Sequence, residues 1–142
     1  ASLYNLYGSK DALVLAYLNA LDQADRKRYD RAAARLCDPV EQIVLFFDLA
    51  AAAARKRRYR GCLYVNAAGA YAGVDLEPVV AHRRWMRETL AGLLAEAGVG
   101  EPEQRAGEVQ LLYDGALVGS KVERSAAPIM RARRLALQLL GH

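Results

Sequence analysis

An all-α fold is predicted by three observations. Alanine and leucine supply 48 of the 142 residues while isoleucine supplies two and threonine one, so helix formers dominate the β-branched set. Apolar residues recur three and four positions apart along most of the chain. Helix-start and helix-stop signals separate these stretches into about six helices.

Taken in order, Ser9 offers an N-cap, after which Leu13, Ala16, Tyr17, Ala20, Leu21 and Ala24 mark a helix from about Lys10 to Ala34. The charge density of Asp25 to Arg35 predicts that its second half projects into solvent. Asp38-Pro39-Val40-Glu41 is a helix start: Asp38 caps, Pro39 suits the first turn, and Glu41 stands three residues after the cap. The helix it opens reaches about Arg58. Apolar residues nearly encircle it, from Val40, Ile43, Val44 and Phe47 to Leu45, Phe46 and Leu49, so it is expected at the centre. Gly61 breaks it, and a short helix covers about Cys62 to Ala72. Pro78 opens a helix with Val79, Met86, Leu90, Leu93 and Ala97 on one stripe, stopped by Gly98-Val99-Gly100. Pro102 opens the next, with Val109, Leu112, Tyr113, Ala116 and Leu117; Glu101 and Glu103 read as capping acids there. Ser125 to Pro128 then separate a last helix bearing Ile129, Leu135, Ala136, Leu139 and Leu140.

Composition narrows the function. One folded domain of ordinary size is expected, and the longest uncharged run, fourteen residues from Gly61 to Val74, is short of a bilayer span of roughly 18 or more. No signal-peptide pattern opens the chain, so a cytoplasmic location is expected. The net charge of +4 suits a polyanionic partner without requiring one. Cys37, Cys62, His82 and His142 stand too far apart for a zinc site of ordinary spacing, so no metal and no cofactor are expected. The two cysteines read as buried, reduced thiols, with a disulfide between them as the alternative. Glycine-rich nucleotide loops, a nucleophile elbow and a metalloprotease helix are all missing, and His82, beside Arg83 and Arg84, reads as solvated rather than catalytic. No catalytic residue is assigned. Arg55 to Arg60 form the densest basic cluster, read as solvated cations at a helix C-terminus.

Residues Ser2 to Leu13 carry a motif: Leu3-Tyr4, two residues, Tyr7, one residue, Ser9-Lys10, two residues, Leu13. In this segment the chain resembles the TetR family of transcriptional regulators, with Tyr7 where phenylalanine is more usual. Arg60 to Ala68, Arg-Gly-Cys-Leu-Tyr-Val-Asn-Ala-Ala, resembles a stretch of one large TetR subgroup with Tyr64 in place of leucine, and Asp114-Gly115 is similar to an acidic-Gly step in that family's eighth helix. The resemblance implies residues 1–9 as the remnant of a DNA-binding helix-turn-helix and residues 10–142 as an effector-binding and dimerisation domain. It implies the rest of the head upstream of Ala1. It also implies a homodimer built from the last two helices as a four-helix bundle, and operator DNA as partner. Repressors prevail in the family. The alternative is an all-α small-molecule binding protein or enzyme without DNA function.

Site residues follow. Tyr4, Tyr7 and Lys10 belong to the DNA-binding segment. Tyr4 offers a hydroxyl and Lys10 a cation to phosphate, while Leu3, Tyr7 and Leu13 read as core. Candidate contacts to a small, largely apolar effector are Phe46, Phe47, Cys62, Asn66, Trp85, Met86, Tyr113 and Asp114, which place polar or aromatic groups on apolar helices. Asp114 needs a partner if buried, whether ligand or protein. Gly69 is taken as a small position facing the pocket. Ala116, Gly119, Ser120, Ala132 and Ala136 are taken as sites of close helix approach across the dimer.

Overall fold

The structure, a computed structural model, describes residues 9–73 and 76–142. Among the described residues there are six helices and no strand: α1 (Ser9–Ala33), α2 (Pro39–Lys56), α3 (Leu63–Ala70), α4 (Glu77–Glu96), α5 (Pro102–Glu123) and α6 (Ala127–Leu139). The fold class is the one the sequence predicts.

Helix α2 begins as its sequence dictates, with the Val40 N–H donating to Asp38 Oδ1 at 2.9 Å and Pro39 in the first turn. It is the centre of the main core. Ile43 and Phe47 are fully buried and meet Leu90 and Leu94 of α4, Val109 of α5, and Ile129 and Ala136 of α6. Burial of this kind is worth about 1.5–3 kcal/mol for each large side chain. A smaller cluster, Leu18 of α1 with Tyr64 of α3 and Leu76, ties the short helix to α1.

Helix α4 ends in a Schellman motif, in which Gly98 (φ +77) follows the cap, its N–H donates to the Ala95 carbonyl, and the Val99 N–H donates to the Leu94 carbonyl. Helix α2 ends in the same hydrogen-bond pattern with arginine where glycine is usual. Arg58 (φ 54) takes the left-handed position, Tyr59 (φ 60) follows it there, and the Tyr59 N–H donates to the Ala54 carbonyl at 2.8 Å. The helix thus ends at Lys56, two residues before the expected end at about Arg58, because the turn is closed by strained arginine and tyrosine backbones rather than by Gly61.

Four other expectations are corrected. The second half of α1 is not merely solvated: Tyr29 is buried and donates its hydroxyl to the Gln42 carbonyl at 2.7 Å, and Asp22 is buried as well. Glu101 does not cap α5, since its backbone is left-handed and its side chain makes no cap bond. Cys37 is exposed rather than buried, Cys62 is half-buried, and both thiols are free. The small residues of α5 and α6 serve packing within the chain: Ala116, Ser120, Ala132 and Ala136 are buried in the monomer, and a Cβ at Gly119 would stand 3.1 Å from Pro128. What α5 and α6 leave exposed is another face, with Leu111, Val118, Val122 and Leu135.

Candidate functional site

A cavity of about 740 Å³ lies where α1, α2, α3, α4 and α5 converge. That volume falls within the ordinary range for small-molecule sites. Leu49, Ala50 and Ala53 of α2, Met86 of α4, and Tyr113 and Leu117 of α5 supply an apolar floor. Helix α1 contributes Tyr17, Leu21, Asp25 and Arg28, α3 contributes Tyr64, and Cys62 stands at its N-cap position.

One wall is a polar network joining α1 to α3 and α4. The Tyr64 hydroxyl donates to Asp25 Oδ2 at 2.7 Å, and the Tyr64 ring stacks on His82 with centroids 3.9 Å apart. His82 Nδ1 lies 3.0 Å from Asp22 Oδ1, which also accepts from Arg26 Nε at 2.9 Å. Since a carboxylate only accepts, His82 presents the N–H to Asp22. Burial lowers the His82 imidazole below its ordinary 6.5, overriding the upward pull of Asp22. The ring is therefore neutral near pH 7, and Arg26 is the cation that balances buried Asp22. Arg26 further donates to the Ala81 carbonyl at 3.2 Å, a second tie from α1 to α4. His82 is thus a packed network member, not the solvated side chain its arginine neighbours suggested. Burial also raises the Tyr64 phenol, with the Asp25 bond adding to the effect.

The α4–α5 wall is closed by Arg83, which clamps Asp114 through two bonds of 2.9 and 2.6 Å. This pair raises the Arg83 guanidinium above its ordinary value. Both side chains stay partly exposed, so the clamp contributes on the order of 1 kcal/mol or less and mainly fixes position. Beneath it, buried Gln110 accepts from Arg87 Nε at 2.8 Å and donates to the Arg83 carbonyl at 3.0 Å. Tyr113 packs edge-on against Phe47, and burial raises its phenol.

Of the residues expected to contact an effector, the structure brings Cys62, Met86, Tyr113 and Asp114 to the cavity. Phe46, Phe47, Asn66 and Trp85 are not on its lining. Phe46 stacks on Tyr29 at 4.1 Å, and Trp85 meets both rings edge-on at 5.6 Å, so these aromatics pack against one another, with Trp85 also 5.4 Å from the His82 ring. Phe47 is core. Asn66 donates to the Arg60 carbonyl at 3.0 Å and accepts from Lys121 Nζ at 3.2 Å, bracing the loop before α3. Gly69 is exposed, with open space where a side chain would stand, and does not face the cavity. Tyr4 and Tyr7 lie outside the described residues, as does the Lys10 side chain.

Sequence reasoning missed Tyr64, His82 and Asp25, and it missed that part of the basic cluster belongs to the site: Lys56, Arg57 and Arg60 line the cavity. The signal for Tyr64 was its hydroxyl on a short helix whose other residues, Asn66 apart, are apolar or glycine. Among the described residues, no group of three or more His, Cys, Asp or Glu is placed to hold a metal ion, and no helix is long and apolar enough to cross a membrane.

The cavity is thus framed by five helices, one of them a 25-residue helix tied to the cavity wall. No protein-family model matches the chain, and no curated protein matches it in sequence. Among solved structures, that of SCO4454, a TetR-family transcriptional regulator from Streptomyces coelicolor, matches with a TM-score of 0.81 at 26% identity, over 99% of this chain and 77% of that one. The chain has the TetR-like fold over nearly its whole length, and the solved structure it is similar to is that of a transcriptional regulator.

Proposed function

We propose that this chain is the effector-binding and dimerisation part of a ligand-responsive TetR-like regulator, most simply a repressor, acting as a cytoplasmic homodimer. Residues 1–9 are then the end of a DNA-reading head, in which Tyr4, together with Lys10 just beyond it, meets the phosphate backbone and Tyr7 packs in the head's core. The observation that carries this reading is the 740 Å³ cavity, whose wall is bonded to α1. Asp22, Asp25 and Arg26 all sit on α1 and all reach α3 or α4. A ligand that shifts Tyr64 or His82 therefore acts directly on α1. At 1.5 Å per residue the 25 residues of α1 span roughly 37 Å, so a small tilt at the cavity becomes several ångströms at its N-terminal end. Paired recognition helices must match major grooves about 34–36 Å apart, and that displacement spoils or restores the match. The account is a coupling between two sites, with no chemistry asked of the protein.

Dimerisation is supported by the exposed apolar face of α5 and α6, where Leu111 is 68%, Val122 is 77% and Leu135 is 41% exposed. A symmetric pair of such faces buries itself against a second copy.

The test is DNA binding by the full-length protein, including whatever precedes Ala1. Protection of a pseudo-palindromic site with half-sites one helical turn apart supports the reading; a cavity ligand bound without any DNA activity supports an all-α binding protein or enzyme instead.

A further inference from the structure

Resting on the reading of the cavity as a ligand site, we propose that its ligand is an organic anion with an apolar body, held by a cationic rim, rather than a largely apolar molecule. The lining carries six cations, Arg28, Lys56, Arg57, Arg60, Arg83 and Lys121, against two carboxylates, Asp25 and Asp114. Both carboxylates are already engaged. Asp114 is clamped by Arg83, and Asp25 accepts from Tyr64 and lies 3.5 Å from Arg28.

That leaves Lys56, Arg57, Arg60 and Lys121 without a carboxylate partner among the described residues. Arg57 donates to the Gly61 carbonyl and Lys121 to the Asn66 side-chain oxygen, both neutral acceptors. Cations in the last turn of α2 answer the helix dipole. That explanation does not reach Arg60, in the loop beyond it, and although Lys121 stands in the last turn of α5, its stem is carried across to this same loop. The loop is shaped to bring them together. Arg58 and Tyr59 hold left-handed backbones, Gly61 has φ +92, and a Cβ at position 61 would stand 2.8 Å from Lys121 Cδ, so the lysine stem lies across bare glycine backbone. Loop and lysine meet at the cavity, and Asn66 bonds both. Behind this rim lie Leu49, Met86 and Leu117, which suit hydrocarbon or ring, and among the described residues the Tyr113 hydroxyl has no protein hydrogen-bond partner. A carboxylate, sulfonate or phosphate head bound by arginine forms charge-assisted bonds, the stronger kind.

The experiment uses two fluorescent probes that share a ring system and differ in one group: 8-anilinonaphthalene-1-sulfonate, an anion, and N-phenyl-1-naphthylamine, which is neutral. Each is titrated into the wild-type chain, an Arg60→Gln/Lys121→Gln variant, and an Ala53→Trp variant that fills the apolar floor, with circular dichroism confirming the fold of each. The expected result is that Arg60→Gln/Lys121→Gln weakens the sulfonate at least tenfold and the neutral amine less than twofold, while Ala53→Trp weakens both. Equal response of the two probes to the rim variant overturns the anion assignment and leaves the cavity as a ligand site. Insensitivity of both to Ala53→Trp overturns the cavity as their site, and the anion assignment with it; DNA binding by the full-length protein then decides the regulator reading separately.

Discussion

The Tyr64 hydroxyl of α3 and Asp25 of α1, 39 residues apart in sequence, share a 2.7 Å hydrogen bond at the cavity wall. Tyr64 also stacks on His82, so one residue links the cavity to both α1 and α4. Tyr64→Phe keeps the ring and removes the bond. A loss of about 1.5–3 kcal/mol in chemical denaturation is expected, the worth of a hydrogen bond to a charged group. In the full-length protein the same variant is expected to weaken the effect of a cavity ligand on DNA affinity; an undiminished effect would show that the signal does not pass through Asp25.

His82 gives a pH dependence with a definite sign. Its folded pKa lies below the usual 6.5 because burial disfavours the imidazolium, so the unfolded chain binds the extra proton first. Stability from this group is complete above about pH 6.5 and declines as pH falls through the folded value. Asp22, Asp25 and Arg26 face the ring, so the comparison must isolate His82. Relative to His82→Gln, the wild type is expected to lose stability between pH 7 and pH 5 in urea titrations. A relative gain over that window would mean that attraction between imidazolium and Asp22 outweighs burial.

The exposed face of α5 and α6 and their buried small residues make opposite predictions. Leu111→Arg/Val122→Arg is expected to shift sedimentation from about twice 15.6 kDa to 15.6 kDa while leaving the helical spectrum intact. Ala132→Leu overfills a site that is 6% exposed within the monomer, and is expected to cost about 1–3 kcal/mol at any protein concentration. A monomeric wild type at micromolar concentration would contradict the dimer.

The cysteines report on the cavity. Cys37 is exposed, whereas burial raises the Cys62 thiol against the downward pull of Arg57 and of the α3 backbone N–H groups. Iodoacetamide at pH 7.5 is expected to alkylate Cys37 at least tenfold faster than Cys62, since the thiolate is the nucleophile. The naphthalene sulfonate is expected to protect Cys62 alone, as read by mass spectrometry of the peptides.

The fold was legible in the sequence where the signals are local. Asp38-Pro39 starts α2 as its residues require, and the nearly circular apolar pattern from Val40 to Ala54 places that helix at the centre. Gly98 likewise stops α4. The site was legible only in part, because its contacts are distant in sequence. His82 meets Asp22 across 60 residues, and neither spacing nor the adjacent arginines foretells a half-buried neutral ring. Aromatic residues were poor guides. Phe46 and Trp85 found Tyr29 and went to the core, leaving an alanine-rich stretch of α2 to form the floor. The rim was hidden by backbone conformation: Arg58 and Tyr59 turn the chain where glycine was expected to, which carries the basic cluster from the helix end to the cavity. The dimer face was sought in small residues, yet these let α5 and α6 approach each other inside one chain.

The most direct measurement of the central claim is the affinity of the full-length protein for its operator, by fluorescence anisotropy at fixed salt, without and with a saturating ligand whose binding Ala53→Trp abolishes. A coupling of about 1–3 kcal/mol predicts a change of about 5- to 150-fold, and operator DNA must change the affinity for that ligand by the same factor. An operator affinity that stays the same when the cavity is saturated would contradict the account.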